Sequence, residues 1–347
     1  MSTATQTIID LNKILNAVDL TEIKRMESEF QNNGWCFVSL PDELIPNPTL
    51  VEELSKFFQM DRGKDKYGHD KEIYGYSKVH HKEGIKLLTG IYFDKFAHKG
   101  LVPPTLVHPL NYLSQVFDAV SKRLMEVLDQ QCIFQQQPSF SSLIQRADLP
   151  LIEEEHFGML DIVSYFNEKH GFEPPQNGQS TKEVNCVPHY DPGLFSISIL
   201  STHEGLQLKD RINDQWIDGP LESNIGVIWL GEAASKLSEN RLKPGIHRVV
   251  YPQEAKGRLT MWYEVCTIEQ LKNISSEKND EVMAGGTVIF PNLPGSAPIT
   301  VRPGEKKLDF LFEVEISHGL SMSKFGQLWY ELEQHAISYP MISTENK

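Results

Sequence analysis

Pro188-His189-Tyr190-Asp191-Pro192-Gly193-Leu194-Phe195-Ser196-Ile197-Ser198-Ile199-Leu200 is the stretch on which the reading of the fold turns. His189 and Asp191 stand two positions apart, a spacing that a strand presents on one face. Pro192-Gly193 marks a bend, and Leu194 to Leu200 alternates apolar and small polar residues in the manner of a strand. Further along, the run from Ile246 to Val250 places His247 on another strand, and Arg258-Leu259-Thr260 repeats the two-residue spacing. Between Asp191 and His247 the chain has room for several strands that return it to the same point. Two imidazoles and one carboxylate are a ligand set for non-haem Fe(II): they take one face of the metal and leave the other positions open. The guanidinium fork of Arg258 beside the Thr260 hydroxyl makes a socket for a carboxylate. Any single one of the 12 histidines is more often a surface or core residue than a ligand. The inference rests on several units occurring in register.

Those units are His189-Tyr190-Asp191, Gly205-Leu206-Gln207, Ile228-Trp229-Leu230-Gly231-Glu232, His247-Arg248-Val249 and Arg258-Leu259-Thr260. Their order resembles the 2-oxoglutarate and Fe(II)-dependent oxygenases, and more narrowly the branch that includes isopenicillin N synthase and the plant flavonoid and hormone dioxygenases. Glu232 stands where that pattern has Asp, and Thr260 where it has Ser; both keep the chemical type. The stretch Lys236 to Leu242 also resembles the family's approach to its second histidine. The likeness is good from Gly158 to Glu264 and fainter before it.

Composition narrows the partners. The chain has 347 residues, 40% hydrophobic and 23% charged, with a net charge of −14. A surplus of negative charge argues against nucleic acid or an anionic membrane as partner, since either needs a basic face. Cys36, Cys132, Cys186 and Cys266 are widely separated with no Cys-x-x-Cys, which fits reduced thiols in a cytoplasmic protein. The N-terminus lacks the pattern of a signal peptide, and no apolar run reaches the length of a membrane span.

Around the central stretch, residues 1 to about 18 read as a surface segment. Thr21 to Gln31 has helical spacing with Thr21 as its cap, and Asn32-Asn33-Gly34 stops it. Trp35 to Leu40 then reads as a strand and Pro48 to Met60 as a second helix. Pro103-Pro104 and Pro109 punctuate a linker into a long helix from Leu110 to Gln131. His80 and His81 read as solvated loop residues. Met159 to Asn167 matches the family's strand along the cosubstrate pocket, making Ser164, Tyr165 and Asn167 candidates for contacts there. Gly285 to Phe290 and Leu308 to Ile316 read as further strands, and Leu328, Trp329 and Leu332 as the docked face of a covering segment.

These elements imply a mainly β fold with α: a double-stranded β-helix, or jelly roll, core with supporting N-terminal helices. One domain spans residues 1–347, with a helix-rich support region at 1–140, a jelly-roll catalytic core at 141–316 and a covering segment at 317–347. The resemblance implies an oxygenase in which His189, Asp191 and His247 hold Fe(II). Arg258 and Thr260, with Tyr165 and Asn167 as further candidates, would hold 2-oxoglutarate as cosubstrate with O2. The expected substrate is a small molecule, such as an amino acid or a secondary metabolite, that is hydroxylated, desaturated or cyclised by a monomeric enzyme. Two other readings stay open: an Fe(II) oxidase of the isopenicillin N synthase kind, in which Arg258 grips a substrate carboxylate, and a non-catalytic jelly-roll binding protein.

Overall fold

Strand-rich sequence after residue 158 folds onto a helical layer supplied by the first 130 residues. The computed structural model describes residues 7–68, 75–78, 82–89, 93, 97–130, 139–141, 158–167, 184–254, 256–266, 286–288 and 299–301. A short strand β1 (Ile8–Asp10) leads into helices α1 (Leu11–Ala17) and α2 (Leu20–Asn32). Asp19, not Thr21, caps α2: its carboxylate accepts from the amides of Thr21 and Glu22, two donors that have no carbonyl partner in the first turn. Strand β2 (Trp35–Ser39) and helix α3 (Pro48–Gln59) follow, the latter capped by Asn47 with Pro48 in its first turn.

Strands β3 (Gly75–Lys78) and β4 (Lys82–Leu88) precede a long helix, α4 (Pro104–Gln130). The helix starts six residues before the expected Leu110 and carries Pro109 inside it. Pro104 takes the first turn, and burial of Leu106 and Leu110 on either side of Pro109 offsets the hydrogen bond that the ring forfeits. The remaining strands are β5 (Gly158–Tyr165), β6 (Val184–Tyr190), β7 (Phe195–Ser201), β8 (Leu206–Asp210), β9 (Gln215–Asp218) and β10 (Ile225–Leu230). A short helix α5 (Glu232–Leu237) is followed by β11 (His247–Val250), β12 (Arg258–Val265), β13 (Gly286–Val288) and β14 (Ile299–Val301). His80, His81, the expected strand from Leu308 and the covering segment 317–347 lie outside the described residues.

Among the described residues the strands form two sheets. One has the order β1-β2-β10-β7-β12-β5-β4-β3, the other β14-β13-β6-β11-β8-β9. This is the double-stranded β-helix with helices on one side. Alternation along each strand of the larger sheet separates two tasks. On β12, Leu259, Met261, Tyr263 and Val265 face the helices and join the main core with Leu160, Ile162, Ile197 and Phe117. The rings of Phe117 on α4 and Tyr263 stack with centroids 4.9 Å apart, locking the helix to the sheet. Arg258, Thr260 and Trp262, on the opposite face, line a cavity between the sheets.

Gly34 shows how tightly the support layer and the site are joined. Its φ is +80°, and a Cβ there would stand 2.4 Å from the carbonyl oxygen of Lys243. Its own carbonyl accepts from Leu230 at the end of β10. Gly34→Ala is expected to lower stability by roughly 2–4 kcal/mol, from the left-handed backbone and the clash together. Thermal melting against wild type checks this; an unchanged melting temperature would contradict it.

Candidate metal and cosubstrate site

Strand register assembles the site. His189 on β6 lies directly opposite His247 on β11, and the two rings come to 4.2 Å between centroids. Asp191 follows one residue after β6 ends, at the start of the bend predicted at Pro192-Gly193. Its Oδ1 is 3.7 Å from His189 Nε2 and 3.8 Å from His247 Nε2. One ligand atom from each of the three residues lies within 4.8 Å of the others, and all three residues are buried.

The neighbours of these groups fix which atoms face the metal position. Asp191 Oδ2 accepts from Trp229 Nε1 at 2.6 Å and from Ser196 Oγ at 2.7 Å, leaving Oδ1 as the free ligand atom. His247 Nδ1 donates to the Gly245 carbonyl at 3.1 Å, so the lone pair sits on Nε2, toward Asp191. Burial, helped by His189, pushes the His247 imidazole down to about 4, so at neutral pH it is the uncharged, ligating form. Burial works against the Asp191 charge, but the imidazoles and the two hydrogen bonds outweigh it and hold the carboxyl below its ordinary range. A buried pocket offering two imidazole nitrogens and one carboxylate oxygen on a single side suits an Fe(II) that needs open positions. The donor set therefore fits the metal expected from the sequence.

Trp229 and Ser196 were not among the residues singled out by the sequence. Both sit within apolar strand runs, where they read as core, and only pairing of Trp229 with Ser196 across β10 and β7 puts them on one carboxylate. Trp229→Phe keeps the ring and removes the donor. A ten- to hundredfold loss of metal affinity is expected, the usual cost of losing a hydrogen bond behind a ligand. Anaerobic Fe(II) titration measures it, and unaltered affinity would mean the bond is dispensable.

Arg258 opens β12 and is 2% exposed. Its Nε donates to Ser201 Oγ at 2.9 Å and its Nη2 to Thr260 Oγ1 at 3.3 Å. Thr260 in turn donates to the Leu200 carbonyl at 2.9 Å, so its hydroxyl orients the guanidinium rather than offering a free proton. Nη1 of Arg258 is buried and has no hydrogen-bond partner among the described residues. Burial lowers the guanidinium to about 10, which leaves it charged at neutral pH. A buried cation with an unused donor on a cavity wall is a receptor for an anion. Arg258, Thr260, Tyr165, His189, Asp191 and His247 all line the same cavity. Asn167 does not line it: its amide nitrogen donates to the Lys256 carbonyl at 2.7 Å and its oxygen accepts from Asn185 at 2.8 Å. Asn167 lies two residues past β5, at positive φ, and ties the turn before β12 to strand β6.

A jelly roll with two histidines and an aspartate beside a buried arginine defines the class: a non-haem metal-binding β-helix protein. Comparison with known proteins shows what this region is similar to. Residues 162–267, which contain all of these side chains, match the profile of the 2OG-Fe(II) oxygenase superfamily. Among curated proteins, the chain is 28% identical over 69 residues to the 2-oxoglutarate-dependent dioxygenases citB of Monascus ruber and mpl2 of Monascus purpureus. Each match covers 20% of this chain and 21% of the relative, so the chain spans about a fifth of the length of the curated relatives it matches. Among solved structures, a putative oxygenase from Shewanella oneidensis superposes with a TM-score of 0.56 at 16% identity, covering 91% of this chain and 100% of that one. The Neurospora crassa T7H complex with alpha-KG and 5-formyluracil gives 0.58 at 19% identity, covering 78% and 87%. The dioxygenase for auxin oxidation from Arabidopsis thaliana gives 0.55 at 18%, covering 76% and 93%. At these identities the likeness is one of fold. Among the described residues, no helix is long and apolar enough to cross a membrane.

Proposed function

We propose that this protein is an Fe(II)- and 2-oxoglutarate-dependent oxygenase that oxidises a small organic molecule. The observation that carries this reading is the unpartnered Nη1 of Arg258 on the wall of the cavity that holds His189, Asp191 and His247. When bound, Fe(II) with 2-oxoglutarate and O2 supplies the oxidising chemistry, with succinate and CO2 as by-products. His189, Asp191 and His247 hold the metal from one side and leave the other side to ligands from outside. Trp229 and Ser196 keep Asp191 bound through one oxygen, so it does not occupy a second position on the metal. Arg258, steadied by Ser201 and Thr260, takes the distal carboxylate of 2-oxoglutarate and sets its reach toward the metal. The apolar part of the wall, including Leu206 and Val249, keeps water from the reacting centre.

The test is anaerobic addition of 2-oxoglutarate to the Fe(II)-loaded protein. A saturable visible charge-transfer band, followed by succinate release when O2 is admitted, is the expected result. Iron-loaded protein that gives neither band nor succinate would overturn it and assign Arg258 to a substrate carboxylate, as in an oxidase that uses no cosubstrate. The small-molecule character of the substrate rests on a site set among buried residues between the sheets and on an acidic chain.

A further inference from the structure

A second buried cation stands near this cavity. Lys82 begins β4, is 3% exposed, and its Nζ makes no hydrogen bond among the described residues. It lies 5.5 Å from the centroid of the Tyr165 ring, which is part of the cavity wall. The neighbouring buried ammonium, Lys86, is by contrast paired with Asp161 at 2.7 Å. Asp161 spends Oδ2 on Lys86 and does not reach Lys82, for its Oδ1 has no partner either. A buried ammonium that no carboxylate bonds among the described residues is costly, and burial lowers the pKa of Lys82 despite the through-space attraction of Asp161. Such a group is tolerated where an incoming anion completes it.

We infer that Lys82 anchors an acidic group of the primary substrate, so that the substrate is a small organic anion. This rests on the oxygenase reading above and names the substrate class for the same cavity. Strand register keeps the two cations apart: Lys82 and Arg258 both pair with Tyr165, from opposite sides of β5. Two strand spacings put their backbones roughly 10 Å apart. A carboxylate seated against Arg258, Thr260 and Ser201 leaves Lys82 to a different acidic group. The ring of Tyr165, near both cations, forms a shared apolar partition between the two subsites.

The experiment uses the full chain loaded with Fe(II), kept anaerobic and saturated with 2-oxoglutarate. The probes are matched acids and primary amides: phenylacetate and phenylacetamide, benzoate and benzamide, indole-3-acetate and indole-3-acetamide. Thermal shift is the readout. At least one acid should stabilise the protein where its amide does not. Lys82→Met should weaken that acid by roughly tenfold or more, since one side of a buried charge pair is gone, and Lys82→Arg should retain the preference. Without any probe, Lys82→Met should melt at or above the wild-type temperature, because it removes an unpaired buried charge. The 2-oxoglutarate band should keep its half-saturation within about threefold in Lys82→Met, as expected of a group outside that contact. Acids that nowhere outperform their amides would overturn the inference. So would a Lys82→Met protein that keeps the acid preference, or one that loses 2-oxoglutarate affinity instead. A wild-type protein that prefers acids but shows no 2-oxoglutarate band would sink the oxygenase reading alone.

Discussion

Asp191→Ala should abolish turnover and lower Fe(II) affinity by at least about a hundredfold, more than the loss of a hydrogen bond behind a ligand. The size of the effect follows from how the carboxylate is embedded. It is the only carboxylate of the three-residue cluster, so its removal leaves two imidazoles alone to hold a dication. It also leaves the Trp229 indole N–H and the Ser196 hydroxyl in a buried site without their acceptor. Asp191→Asn is the sharper variant, because it keeps the volume and can still accept from Trp229. It should retain the fold, shown by an unchanged melting temperature within a few degrees, while losing most of the metal affinity. Full iron binding and activity in Asp191→Ala would dismiss the cluster as the metal site.

Arg258→Ala should raise the 2-oxoglutarate concentration needed for half-saturation on the order of a hundredfold, within the range measured for truncating a buried charge pair. Metal affinity should stay near wild type, since Arg258 bonds Ser201 and Thr260 rather than the three ligands. The anaerobic band separates the two effects: its amplitude at saturation reports iron, and its midpoint reports the carboxylate contact. Arg258→Lys should recover only part of the loss. A lysine keeps the charge but cannot bond Ser201 and Thr260 while also presenting a donor to the cavity. An unshifted midpoint in Arg258→Ala would remove Arg258 from cosubstrate binding.

The four residues on which these results depend were legible from the amino-acid order because their signal is local. His189 and Asp191 stand at a spacing that forces proximity, and His247 and Arg258 each open a short apolar strand. What stayed hidden depends on pairing between distant strands. Trp229 and Ser196 meet at Asp191 through the β10–β7 register, and Ser201 meets Arg258 across β7 and β12. Lys82 carries no local signal either; its place follows from β4 being buried along its whole length. Errors near the helices have a local origin. Asp19 and Thr21 are both good caps, and which one wins depends on where the first turn closes. Pro109 is a helix breaker by propensity, overruled by the apolar residues around it. Tyr165 and Asn167 have the two-residue spacing of one strand face, but the strand ends at Tyr165, so of the two only Tyr165 lines the cavity.

The two-faced character of β12 bears on how this protein can change over generations. Arg258, Thr260 and Trp262 line the cavity while Leu259, Met261 and Tyr263 meet the helices, alternating residue by residue. Inserting or deleting one residue in this strand would exchange the two sets and ruin recognition and folding in a single step. Point substitutions at Trp262, or on the matching face of β4 and β5, touch ligand contacts and leave the helix-facing layer intact. New substrate preferences are therefore reachable one side chain at a time, whereas changes of strand length are closed to this lineage.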